Sequence, residues 1–156
     1  MRLMIVTMCI LASGISFATE PAGVAVNEML AESTLSSALG ETVTISDWAA
    51  TIAASGNSKV YHQDLVIEPG GYSGWHTHPG ILLVTVEQGN IEWYGSRCDR
   101  RSFVAGDSFI ESAMPHTVVN VGEEDAHMLI TYIVRAGVSR RQESEQPSCG
   151  EDLGLL

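Results

Sequence analysis

His76 and His78 stand one residue apart in the stretch GWHTHPG, and they are the side chains of this sequence best suited to chemistry. Side chains on a strand alternate faces with a period of two, so both imidazoles would point the same way. Two imidazoles on one face make a natural pair of metal ligands, and a third protein ligand is usual. The remaining histidines are His62, His116 and His127. His116 is the best placed of them, because it follows Pro115, opens the apolar run HTVVN and could face the pair across a barrel. Glu111 is the nearest carboxylate to His116 along the chain and a candidate base or extra ligand; Tyr132 lies on the last long apolar run and is a candidate for the pocket wall. His62 and His127 read as ordinary strand histidines, and Trp75 as packing. The plainer reading of the motif, two solvated histidines in a turn before Pro79-Gly80, stands beside the metal reading at this level.

The elements around these residues read as strands. From Lys59 onward β-rich runs follow one another: VYHQDLVIE, ILLVTVEQ, IEWYG, SFVAGDSFIE, HTVVNV and HMLITYIV. The first is expected to stop at Glu68-Pro69-Gly70-Gly71, a type II turn sequence. The near-continuous apolar run ILLVTVEQ predicts a strand buried on both faces. Gly89-Asn90 predicts a tight turn, and Ala105-Gly106-Asp107 another. Short strands with turns every 8 to 12 residues indicate an all-β sandwich or barrel. Residues 19–58 are harder to read: VNEMLAESTLSSALGE fits a weak helix or a strand, ETVTISDW alternates like a strand, and AASGNSK reads as a loop.

The ends of the chain carry different signals. Arg2, the apolar run LMIVTMCILASGI and the small-x-small pattern Ser16-Phe17-Ala18 predict a signal peptide over residues 1–18. The run is too short to span a bilayer comfortably. The expected location is therefore secreted or periplasmic, with no membrane attachment after cleavage. Cys98 and Cys149 would remain in the exported chain, where a disulfide is one of their two states. Residues 138–156 form a polar tail expected on the surface. The 156 residues suit one domain, and 45% hydrophobic content supplies a core. A net charge of -11 repels phosphate backbones and anionic lipid, which excludes nucleic acid as a partner.

Residues 70 to 120 resemble the two cupin motifs. The first runs Gly70, His76-Thr77-His78, Gly89; the second runs Gly106, Pro115, His116, Asn120, with the gap from Gly106 to His116 one residue shorter than the usual pattern. The resemblance implies a cupin-type double-stranded β-helix, or jelly-roll barrel, over residues 59–137, preceded by a short N-terminal extension over 19–58. It implies one divalent transition metal (Zn, Cu, Fe, Mn or Ni) on His76, His78 and His116, with Asn120 structural. The motif's glutamate is missing: Leu82, or Leu83 with the longer spacing, occupies its place. That argues against oxalate-type decarboxylation, while cupins with three histidine ligands include dioxygenases. The function implied is a mononuclear metal cupin acting on a small organic molecule by dioxygenase-like oxidation, isomerisation or lyase chemistry. The alternative is a non-catalytic module that binds a small-molecule ligand or metal. Small cupins often pair through an N-terminal strand, so a homodimer exchanging residues 24–47 is a further expectation.

Overall fold

The structure is a computed structural model, described here for residues 18–35, 37–148, 150 and 154. The signal-peptide expectation and Cys149 therefore fall outside the described residues. Cys98 itself is disulfide-bonded and adopts a positive φ of 65°.

The described chain forms twelve strands. One layer of the barrel runs in the order β1 (Ala22–Leu35), β4 (Ser58–Tyr72), β11 (Ala126–Arg135), β6 (Gly80–Gln88) and β9 (Ser108–Glu111), every pair antiparallel. The opposite layer holds β12 (Gln142–Glu143), β5 (His76–Thr77), β10 (His116–Asn120), β7 (Asn90–Gly95) and β8 (Arg100–Val104). The far end of β4 joins the layers through Tyr72, which pairs with Val119. A separate hairpin, β2 (Leu39–Ile45) and β3 (Trp48–Ala54), leaves Val43, Ile45, Trp48 and Ile52 exposed.

Alternation explains the core. Leu82, Val84 and Val86 of β6 and Met128, Ile130 and Tyr132 of β11 point inward and are nearly inaccessible. Each fully buried aliphatic side chain contributes about 1.5–3 kcal/mol before chain entropy is counted. Residues between them point outward, and Ile81 and Leu83 are about half exposed, so β6 is buried on one face only. The apolar run alone does not show this, because period-two alternation is hidden when both faces carry apolar side chains.

One more expectation changes, and one open alternative is resolved. The Pro69-Gly70-Gly71 segment does not end its strand: β4 continues to Tyr72, with Gly70 at φ +74°. The register jumps from Ala22↔Tyr72 to Val24↔Ile67, so the extra residues form a bulge against β1. The ambiguous stretch VNEMLAESTLSSALGE supplies the later part of β1 and the start of β2, and no α-helix occurs among the described residues.

Candidate metal centre

The backbone brings the histidines together from two strands of one layer. His76 on β5 and His116 at the start of β10 are direct ladder partners. His78 follows β5 by one residue and folds back toward them; ring centroids lie 4.5 Å apart for His76–His116, 4.7 Å for His76–His78 and 5.3 Å for His78–His116. Gly74 makes the entry to β5 possible. Its φ is +71°, and a Cβ there would meet the Thr19 carbonyl oxygen at 2.3 Å, so only glycine fits.

Each imidazole is oriented through its Nδ1. His76 Nδ1–H donates to the Gly74 carbonyl at 2.8 Å, His78 to the Arg140 carbonyl at 2.7 Å, and His116 to the Met114 carbonyl at 2.8 Å. With every Nδ1 engaged as a donor, each Nε2 presents a lone pair, the tautomer a metal requires. The ligand atoms of the three rings lie within 4.8 Å of one another. His116 Nε2 is buried and makes no well-formed hydrogen bond; its nearest polar neighbour is the Glu111 carboxylate at 3.3 Å, so a cation bound between the rings would satisfy both groups. The residues present therefore fit a divalent transition metal.

A carboxylate faces the same point. Glu111 is 4% exposed, and its Oε2 lies 3.3 Å from His116 Nε2 and 3.9 Å from His78 Nε2. Glu111 is also the direct β9 partner of Leu82, the position where the motif lacks its glutamate. Leu82 is itself fully buried, with Tyr132 as its partner on the other side. One rung thus reads Tyr132–Leu82–Glu111, and the carboxylate missing from β6 is present one strand away. Leu82 packs into the core, while Leu65, Val84, Met128 and Ile130 supply apolar wall to the cavity of about 80 Å³ beside the histidines.

Burial holds two of the three imidazoles, His76 and His78, neutral. Burial pushes His76 well below its usual value, helped by the charges of His116, Arg141 and His78. Burial also pushes His78 down to about 4, against the opposing effects of the Arg140 carbonyl and Glu111. Burial opposes charge on Glu111 and His116 too, but each charge supports the other, leaving Glu111 below and His116 above its ordinary range. Burial raises the Tyr132 phenol, which stays protonated and donates to Gln63 Oε1.

The other expected residues take plainer places. Asn120 donates to the Ile67 and Glu124 carbonyls and accepts from Gly122 N–H, which ties down the turn after β10. His62 bonds Thr131 on the outer face, and His127 pairs with Asp64 and Glu87. Trp75 is fully buried. The polar tail departs most from expectation: β12 pairs with β5, and Arg140 and Arg141 line the cavity with His76, His78 and Glu111. The dipeptide Arg140-Arg141 in an acidic chain was the available signal, but its pairing with β5 is a long-range contact that no local pattern reports.

Residues 63–132 match the cupin domain family. Among solved structures, the chain is similar to an uncharacterised conserved protein with a double-stranded β-helix domain from Klebsiella pneumoniae, at 18% identity over 70% of this chain and 86% of that one, TM-score 0.49. It is also similar to a cupin domain from Bordetella pertussis, at 17% identity over 64% and 95% of the two chains, TM-score 0.44. A third likeness is to a DMSP lyase from Ruegeria pomeroyi, at 17% identity over 51% and 41%, TM-score 0.46. No curated protein matches the sequence. The barrel has the cupin-type double-stranded β-helix fold, and the three-histidine cluster lies within the matched residues 63–132.

Proposed function

We propose that the protein is an exported metal-dependent cupin enzyme that acts on a small organic molecule, with dioxygenase-like oxidation as the leading reaction class. The observation that carries this reading is the arrangement of the three imidazoles, with every Nδ1 engaged by a backbone carbonyl and every Nε2 left for a common ligand. His76, His78 and His116 would hold the ion. Bound there, a divalent transition metal supplies Lewis-acid polarisation of a substrate oxygen and, for a redox-active ion, access to O2 chemistry. Glu111 faces the same centre and is the group able to take or return a proton. Tyr132, held protonated, lines the cavity and spends its O–H on Gln63 while accepting from Arg140, so its role is to position those two side chains. The apolar wall excludes water and accepts an apolar body. A buried carboxylate at the centre favours an enzyme over a binding module, which needs no proton carrier.

The test begins with equilibrium dialysis of the chain against zinc, copper(II) and iron(II), followed by O2-uptake and product screening of each loaded form. Binding no greater than that of His78→Ala would sink the metal reading. Tight metal binding with no turnover in any loaded form would leave the binding module as the better account.

A further inference from the structure

Arg140 brings to this cavity a positive charge that no described carboxylate pairs. The chain has only 8 Lys and Arg against 19 Asp and Glu, yet two of those cations, Arg140 and Arg141, line one small cavity. They differ in partners. Arg141 is bound by both oxygens of Glu143, at 2.6 and 2.7 Å. Arg140 touches only neutral groups: its Nη1 donates to Gln63 Oε1 at 3.1 Å and to Tyr132 OH at 3.3 Å, and its guanidinium sits 5.4 Å from the Tyr132 ring centre. Among the described residues no carboxylate pairs with Arg140, and its Nε and Nη2 make no hydrogen bond. Glu111, the one carboxylate among the described lining residues, faces His116 and His78 instead.

We infer that Arg140 is the anion-binding residue of this cavity, and that the ligand it selects is a small carboxylate with a short apolar body. The inference rests on the reading of this cavity as the substrate site. A guanidinium presents a planar fork that matches a carboxylate, and the edge of Arg140 not used by Gln63 and Tyr132 is the free part of that fork. The used edge is braced: Gln63 is fixed in turn by donating its Nε2–H to Asn27 Oδ1 at 2.6 Å, so less side-chain freedom is lost when a ligand binds. The backbone of the same residue accepts the His78 Nδ1–H, which ties the anion site to the imidazole cluster. A carboxylate held by Arg140 would lie beside the histidines, with its carbon chain against Leu65, Val84, Met128 and Ile130. A cavity of about 80 Å³ suits a short carbon chain. A divalent ion held by three neutral imidazoles would add to the positive charge of the cavity and favour the same class of ligand.

The test titrates propionate and its uncharged isostere propionamide into the full chain, first metal-free and then zinc-loaded, with binding read by NMR. Propionate should bind at least about tenfold more tightly than propionamide, as the loss of one charge-assisted pair requires. Arg140→Met should lose at least about tenfold in propionate affinity while keeping its zinc content and melting temperature. Arg140→Lys, which keeps the charge without the fork, should fall between them. Equal binding of the two probes, or undiminished propionate binding by Arg140→Met, overturns the inference. If Arg140→Met fails to fold, Arg140→Gln and Arg140→Lys decide by the same comparison. A chain that takes no zinc but binds propionate through Arg140 refutes the metal reading and supports the anion site; one that takes zinc and ignores propionate does the reverse.

Discussion

Moving the carboxylate of the site across one rung of the ladder gives a quantitative check on the geometry. Leu82 is fully buried between Tyr132 and Glu111, so Leu82→Glu removes a buried leucine and sets a second carboxylate beside the first. The lost apolar burial costs about 2 kcal/mol. An added buried charge without a partner costs several more, so the metal-free single variant should lose roughly 4–7 kcal/mol. That is a large share of the 5–15 kcal/mol typical of a whole domain. The double variant Leu82→Glu with Glu111→Leu keeps one leucine and one carboxylate on the same rung. Its cost should fall to about 1–3 kcal/mol, the scale of a shape change at constant volume. Metal binding follows a different order. Glu111→Leu alone should weaken zinc affinity about 10–100-fold, the usual effect of removing a group that supports a site. The double variant should recover most of that loss, because its carboxylate stands one strand away. Urea melts of the metal-free proteins and zinc competition with a chromophoric chelator read both quantities. Wild-type zinc affinity in Glu111→Leu, or a folded double variant that binds zinc no better than Glu111→Leu, would refute the reasoning.

Alanine at His76, His78 or His116 should cut zinc occupancy sharply, whereas His127→Ala, on the outer face with Asp64, should leave it intact; full occupancy in His116→Ala would mean that the second motif is misaligned. The metal-free protein should lose stability on acidification. His78 stays neutral down to about pH 4 when folded but takes a proton near pH 6.5 when unfolded, so its contribution is complete above 6.5 and fades as pH falls toward 4. Between pH 7.5 and 5 that amounts to about 2 kcal/mol from His78 alone. His76 acts in the same direction, and the raised His116 offsets part of the loss; urea midpoints that stay flat or rise over this range would contradict the burial argument. The intact mass of protein recovered from outside the cytoplasm should correspond to cleavage after Ala18, and a mature chain still beginning at Met1 would refute export by this route.

The strands were legible where β-branched and apolar runs stood between turn residues. HTVVN and HMLITYIV became β10 and β11 close to their read limits, and the Gly89 turn appears at φ +83°. His76, His78 and His116 were legible because motif spacing fixes strand position, and strand position fixes which way a side chain points. What could not be read depends on pairing between distant segments. The β4 bulge exists because β1 lies against it, and no local feature distinguishes Pro69-Gly70-Gly71 in a bulge from the same residues in a turn. The facing of Leu82 by Glu111 is a register fact, invisible without the β6–β9 ladder. Arg140 reaches the cavity because a two-residue strand, β12, closes on β5, far too short a run to carry a periodicity of its own.

Elemental analysis of protein purified from its native compartment, with no metal added at any stage, tests the central claim most directly. Three imidazoles converging on one point, with a buried carboxylate beside them, should retain about one divalent transition ion per chain. A His78→Ala sample handled in parallel should retain far less. Equal, near-zero metal in both proteins, together with no zinc uptake by the wild type on dialysis, would contradict the account.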